Sequence, residues 1–397
     1  MHVTRPPRLP AAPGSRPRGA RLALAALAVS VLLTGTPADA AAGGTLYVTN
    51  GDSGDISLFR LGSTGEPVLE PPLIPTGTQP RQLQLSADGR TAYVATALDD
   101  SVHQYRVGDD GRLTPLRPPA VRAGDFPFGS LLAPSGRTFY TADTDDGTVS
   151  VFSVGFDGRL HRRGPAVSTG QASPRGLAMT PDGRFLFVSH GRPAITPEDT
   201  EPPGFVVVFA VGPKGTLSRA GEPVPVERGG LGMSVTPDGR HLYVACEALT
   251  SVSDRQLFGF SIGADGSLTP VPGSPYSAPD VPIGTAITPD GRHLYVTSGG
   301  LNVNPDLATK VWGFTIAADG SLRPTPNAPF EAGHGPVGIA LSADGRRAYV
   351  STLRAELFTF AVEPDGDLRR IHGPIMTGGV RPLFQSVSVG RPDRPAR

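Results

Sequence analysis

The stretch TPDGRHLYVTS, residues 288–298, is a chain reversal followed by strand-forming residues. Asp290-Gly291 is a tight-turn dipeptide, because glycine reaches positive φ without a Cβ clash, and Pro289 pre-sets the turn. Alternating apolar runs flank it, Ile283 to Ile287 before and His293 to Thr297 after, rich in the β-branched and aromatic residues that suit a pleated surface. The unit reads as a β-hairpin.

The unit recurs along the chain. Equivalent turns close on Gly89, Gly136, Gly183, Gly239, Gly291 and Gly345, spaced 47, 47, 56, 52 and 54 residues apart. That period suits propeller blades and exceeds that of most helical solenoids. A second marker follows each turn: GDDGRL, GFDGRL, GPKGTL, GADGSL, AADGSL and EPDGDL. Two hairpins in series make a four-stranded antiparallel blade, its strands called A to D from the axis outward.

Six full repeats begin near Pro80, Pro127, Pro174, Gly230, Pro282 and Pro336. Two pieces are left over. The segment from Thr45 to Leu73 has B, C and D strands without an A strand, and Pro382 to Gly390 reads as a lone A strand. Joined, they complete a seventh blade and remove the unpaired edges that an open ring would expose. The expected fold is all-β, a seven-bladed β-propeller of four-stranded antiparallel blades with 3+1 closure. A six-bladed ring with an irregular tail is the competing arrangement.

Residues 1–40 stand apart. Five arginines precede the apolar run Leu22 to Leu33, and Ala38-Asp39-Ala40 offers small residues for cleavage, the pattern of a signal peptide. Residues 41–397 would then be the propeller, secreted and extracytoplasmic, with no membrane span in the mature chain. Losing five basic and one acidic residue from 36 of each leaves 31 against 35, a net charge near −4 that argues against nucleic acid as a partner. The single cysteine, Cys246, has no disulfide partner and reads as a small apolar residue at a strand end.

From the first glycine marker to the second the spacing is 22, 22 and 21 in blades one, two and six, but 32, 27 and 29 in blades three, four and five. The extra length lies between strands B and C, in 189–204, 246–256 and 298–310. All three loops should therefore share one face, where binding residues would concentrate on a rigid scaffold.

At the mouth of the channel on that face, the second residue of each A strand should form a ring: Arg81, Phe128, Arg175, Leu231, Ile283, Val337 and Leu383. Two guanidiniums in an apolar ring need anionic partners, because an uncompensated buried charge is costly. They read either as an anion-binding mouth, with Arg381 joining, or as ion pairs with loop acids such as Glu198 or Glu247. His190 and His334 belong to the same face and are candidate proton carriers or solvated loop residues. Asp143, Asp145 and Asp146 lack the alternating spacing of a calcium loop and read as a turn. No metal or cofactor motif is present, so neither is expected. HExxH, GxSxG and paired CxxC are absent, and the one tryptophan, Trp312, gives no quinone-docking pattern.

The PDGRxLYV repeats with their DGxL markers resemble the lactonase-type and YVTN-repeat seven-bladed β-propeller family, which includes 6-phosphogluconolactonase-like and carboxymuconate-lactonising-enzyme-like propellers. The resemblance implies lactone chemistry at the channel mouth. Arg175 matches an arginine of that group, and Asp143 is kept. Phe126 and Phe128 stand where histidines are expected, and His190-Gly191 replaces an Asn-Glu pair. Glu247 offers a carboxylate one blade later, and Arg354 falls one residue beyond the place of a further arginine.

The expected function is binding of a small anionic or lactone-bearing molecule at the mouth, at Arg81, Phe128, Arg381 and His334. If the protein is a hydrolase or cycloisomerase, Arg175 and Arg81 would stabilise an oxyanion while Glu247 or His190 moves the proton. The alternative is a non-catalytic scaffold that binds a ligand or a cell-surface protein.

Overall fold

A computed structural model describes residues 44–191, 204–226, 229–247, 256–277, 281–299 and 308–392. The proposed signal peptide and most of the three long loops lie outside them. Why the turn at Asp290 forms is visible atom by atom. Thr288 Oγ1 donates to Asp290 Oδ1 at 2.6 Å, the Arg292 amide donates to the same oxygen at 3.0 Å, and Gly291 takes φ +74°. The same carboxylate-capped reversal recurs at Asp88, Asp182, Asp238 and Asp344.

These hairpins build seven antiparallel sheets. The outermost strand is interrupted in five of them, so two short segments pair with the same C strand. The A strands are Pro80–Leu85, Pro127–Leu132, Pro174–Met179, Gly230–Val235, Pro282–Ile287, Pro336–Leu341 and Pro382–Pro392. Each packs beside the next around the ring, and the seventh beside the first. The closing blade pairs Pro382–Pro392 antiparallel with Gly44–Asn50, whose own partner is Asp55–Leu61. The ring has seven blades closed 3+1, and a single 3₁₀ turn, Pro213–Gly215, is the only helix among the described residues.

The core lies between blades rather than within them. Strand B is buried along nearly its whole length, for example His241–Cys246 and His293–Ser298, so both its faces meet apolar neighbours. Phe187, Val206 and Val208 of blade three pack with Leu242, Val244 and Phe260 of blade four, and similar clusters recur around the ring.

A polar latch ties five of the seven blades to the next. The B-strand tyrosine of the LYV pattern donates its buried hydroxyl to the carbonyl of the C–D turn glycine one blade on. Tyr47 reaches Gly111 O at 2.6 Å, Tyr93 Gly158 O at 2.7 Å, Tyr140 Gly215 O at 3.1 Å, Tyr243 Gly320 O at 2.8 Å and Tyr295 Gly366 O at 2.8 Å. Phe187 holds the place in blade three, and the Tyr349 hydroxyl of blade six is buried without a partner. The bond is thus a second use of the glycine marker: it turns the chain and offers an acceptor close to its neighbour.

Removing the hydroxyl of Tyr243 leaves a buried carbonyl short of its donor, which costs about 1–2 kcal/mol. Tyr243→Phe is therefore expected to lower the urea midpoint of unfolding, whereas Tyr349→Phe leaves it unchanged or raises it. Equal losses in the two variants would show that the hydroxyls do not latch the blades.

Candidate ligand site at the channel mouth

The mouth is assembled by a backbone device repeated seven times. The amide that leaves each B strand donates to the carbonyl of the residue just before the A strand of the same blade: Gly51 to Arg381, Ala97 to Gln79, Thr144 to Phe126, Gly191 to Ser173, Glu247 to Gly229, Gly299 to Val281 and Leu353 to Gly335, all at 2.9–3.2 Å. Six of these junction residues sit in the left-handed region, Gln79, Phe126, Ser173 and Arg381 at φ 49–55° and Gly229 and Gly335 at 73° and 67°. A side chain there costs roughly 1–2 kcal/mol, so the surrounding hydrogen bonds hold it in place. The junction aims the following two residues at the axis.

The expected ring is present and buried. Leu231, Ile283, Val337, Leu383 and Phe128 pack together with Phe384 and Leu353 to form an apolar plug. Arg81 and Arg175 are 3% and 6% exposed, and both guanidiniums lie over the ring of Phe128, at 4.3 and 4.7 Å from its centre. Phe126 adds a second ring 5.6 Å from Arg81, and Phe384 stacks on Phe128 at 5.8 Å. Neither arginine points into bulk water.

The two cations are treated differently. Arg175 donates from Nη1 and Nη2 to Glu247 Oε2, each at 3.3 Å, across the boundary between blades three and four. Arg81 has one neutral partner, Gln79 Oε1 at 3.2 Å from Nη2, while its buried Nε and Nη1 have no partner. Burial pulls the Arg81 guanidinium down to about 9, with Arg175 adding repulsion and Asp52 opposing it. It remains a cation at neutral pH, in contact with aromatic faces and an amide and attracted by Asp52 from a distance.

The other expected residues are more peripheral. Arg381 stands at the same mouth, half exposed, with Nη1 3.8 Å from Asp52 Oδ2. His334 lies on the rim, where its Nδ1 and its amide meet the Glu356 carboxylate at 3.2 and 3.1 Å. His190 is turned to the backbone, and its Nε2 has no hydrogen-bond partner among the described residues. Its Nδ1 faces Ala172 O at 3.0 Å, the ring is buried, and desolvation pulls it down to about 4, which leaves it neutral. Glu198 lies outside the described residues.

Asp143 departs from its expected place in a turn. It ends strand B of blade two, fully buried, and accepts from Thr141 Oγ1 at 2.8 Å and Ser150 Oγ at 2.6 Å, while the turn follows at 144–147. Burial raises its carboxyl to about 6 against these hydrogen bonds. Gln79 and Phe126 are mouth residues that the strand pattern did not single out as ligand contacts. Their signal was positional, two residues before the ring members Arg81 and Phe128.

Comparison with known proteins places this geometry. The family model described as "Lactonase, 7-bladed beta-propeller" matches residues 41–193. The resemblance to the lactonase-type propellers holds. No curated protein matches the chain. Among solved structures, a candidate 6-phosphogluconolactonase from Bacteroides fragilis superposes with a TM-score of 0.71 at 20% identity, covering 88% of this chain and 98% of its own. A candidate 6-phosphogluconolactonase from Bacteroides uniformis gives 0.70 at 18%, covering 88% and 99%. The periplasmic gluconolactonase of Pseudomonas aeruginosa gives 0.65 at 21%, covering 88% and 99%. At these identities the likeness is one of fold.

Two measurements probe this mouth and the blade beside it. Glu247→Leu takes from Arg175 the carboxylate that both Nη groups meet, at a cost on the order of 3 kcal/mol, and adding Arg175→Met recovers part of it. A double variant no more stable than Glu247→Leu alone would mean that the pair does not interact. Asp143 binds its proton in the folded state up to about pH 6 but in the unfolded chain only to about 3.8, so its contribution weakens stability as pH rises across that window. Asp143→Asn is expected to gain on the wild type between pH 4 and 7, by roughly 2–3 kcal/mol in unfolding free energy. A pH-independent difference would contradict this.

Proposed function

We propose that this chain is a secreted, lactonase-like propeller whose channel mouth binds a small anionic or lactone-bearing molecule. The observation that carries the reading is Arg81: a cation 3% exposed with two buried N–H groups unanswered. A carboxylate or phosphate at that point completes the guanidinium's donors in a fork geometry and removes the desolvation penalty. The rings of Phe126 and Phe128 flank the same cation and suit an apolar or planar part of the ligand.

For lactone opening, Arg81 and Arg175 would draw charge onto the ring carbonyl and Glu247 would take the proton from the attacking water. Phe126 and Phe128 stand where the lactonase group has histidines, and Arg175 is already paired with Glu247. Both facts favour a second reading in which the mouth binds its ligand without turning it over.

Melting shifts against sugar lactones, their open acids and phosphorylated sugars, together with titration of released acid, test the proposal. At least one anion is expected to raise the melting temperature of the wild type and to leave Arg81→Met unmoved. Arg81→Met alone is expected to melt above the wild type, since it removes an unpaired buried charge. If no anion shifts the wild type, or the variant responds equally, the anion-binding mouth is wrong. Binding without acid release from any lactone leaves the scaffold reading standing.

A further inference from the structure

The ring carries its own internal control: seven equivalent grooves run between adjacent blades on the short-turn face, opposite the mouth. In most of them the turn acids offset the turn arginines. Asp182, Asp238, Asp290 and Asp344 each accept the turn hydroxyl and the amide of the arginine two residues on; these hydrogen bonds hold each carboxyl low against burial, and the guanidinium adds a smaller attraction. In the C–D turns, Asp110, Asp157, Asp265, Asp319 and Asp365 each accept the amide two residues on.

The groove between blades two and three breaks this pattern at four positions. Ser135 replaces the A–B turn aspartate, which leaves Arg137 without its acid. Lys214 replaces the C–D turn aspartate, gives up the carboxylate cap and sits at φ 60°, a left-handed conformation unfavourable for a side chain. Arg163 stands where the other blades have Leu116, Ala220, Val271, Thr325, Ile371 and Glu70. Phe156 occupies a turn position that is Ser, Asp, Pro or Ala in the other blades and is fully exposed, at 114%.

All four line one cavity of about 860 Å³, against about 530 Å³ for the groove between blades five and six and about 170 Å³ for that between four and five. The side chains of Arg137, Arg163 and Lys214 are exposed and make no hydrogen bond or ion pair among the described residues. The one acid in the wall, Asp182, is already engaged by Thr180 and Arg184. By contrast, the groove between blades five and six carries three acids, Asp290, Asp344 and Glu363, among its arginines, and Glu363 meets Arg369 at 2.7 Å.

We infer that the groove between blades two and three is a docking site for an acidic peptide segment of a partner protein. Three unpaired cations set around a cleft call for several negative charges, and the cleft is longer than one phosphate or carboxylate fills. The exposed Phe156 ring asks for an apolar side chain among those charges, which a peptide of mixed acidic and aromatic residues supplies. Charge swapped at two turn positions, at the expense of local backbone geometry, is what electrostatic selection of a partner requires. The site is separate from the channel mouth, so it stands or falls independently of the lactone reading.

The test is fluorescence anisotropy of the purified full-length protein with a fluorescein-labelled glutamate-rich peptide carrying one central phenylalanine. Controls are the same peptide with serine in that place, and dextran sulfate. The wild type is expected to bind the phenylalanine peptide and to release it in high salt. The double variant Ser135→Asp with Lys214→Asp restores the residues of the other blades, so its fold is secure, and it should bind roughly tenfold more weakly. Phe156→Ala should weaken the phenylalanine peptide while leaving the serine peptide unchanged. No binding by the wild type, equal binding by the double variant, or indifference to Phe156 overturns the proposal. So does tight binding of dextran sulfate through these residues without binding of the peptide, which points to a polysaccharide.

Discussion

A hydroxyl reaching from one sheet to a turn carbonyl of the next is the interaction on which this architecture depends. Apolar contact between blades is broad and undirected, and it would tolerate sliding of one twisted sheet across another. The bonds from Tyr47, Tyr93, Tyr140, Tyr243 and Tyr295 fix that relative position. Because each acceptor is the glycine of a C–D turn, the same residue that reverses the chain also indexes the ring. Blade three, with Phe187 in the tyrosine's place, relies on packing alone at that point.

Fixed blade positions make the mouth possible. The ring of second residues converges only when seven A strands start at the same height, and the amide-to-carbonyl bonds at the junctions set that height. Within it, Arg175 and Glu247 come from different blades and meet because the blades are indexed. Arg81 has no such acid, and its neighbours are two phenyl rings and an amide. One arginine is paired with a carboxylate across a blade boundary, while the other keeps two buried N–H groups without a partner among the described residues.

Most of the fold was legible in the sequence because its determinants are local and repeated. The TPDGR turn, the DG marker and the length from one to the other each report hydrogen bonds closed within a few residues. The ring residues were legible too, since position relative to the turn fixes direction in a strand. What pairs with what was not. Glu247 on Arg175 spans 72 residues and depends on which side of a blade boundary a carboxylate reaches. His190 looked like a loop residue at the rim, yet it belongs to strand B and faces Ala172 O, because the strand runs to its last residue before the insertion. Asp143 was read as part of a turn for the same reason. The left-handed junctions at Gln79, Phe126, Ser173 and Arg381 carry no glycine to announce them, so only coordinates reveal them.

Those junction bonds also bear on how such a ring can change over time. Each clamps the backbone at the exit of strand B, one residue beyond its end, before any connecting segment departs. Whatever follows, whether a few residues or a dozen, is grafted onto an anchor that does not sense its length. A propeller of this kind can therefore acquire new rim chemistry blade by blade without renegotiating its scaffold.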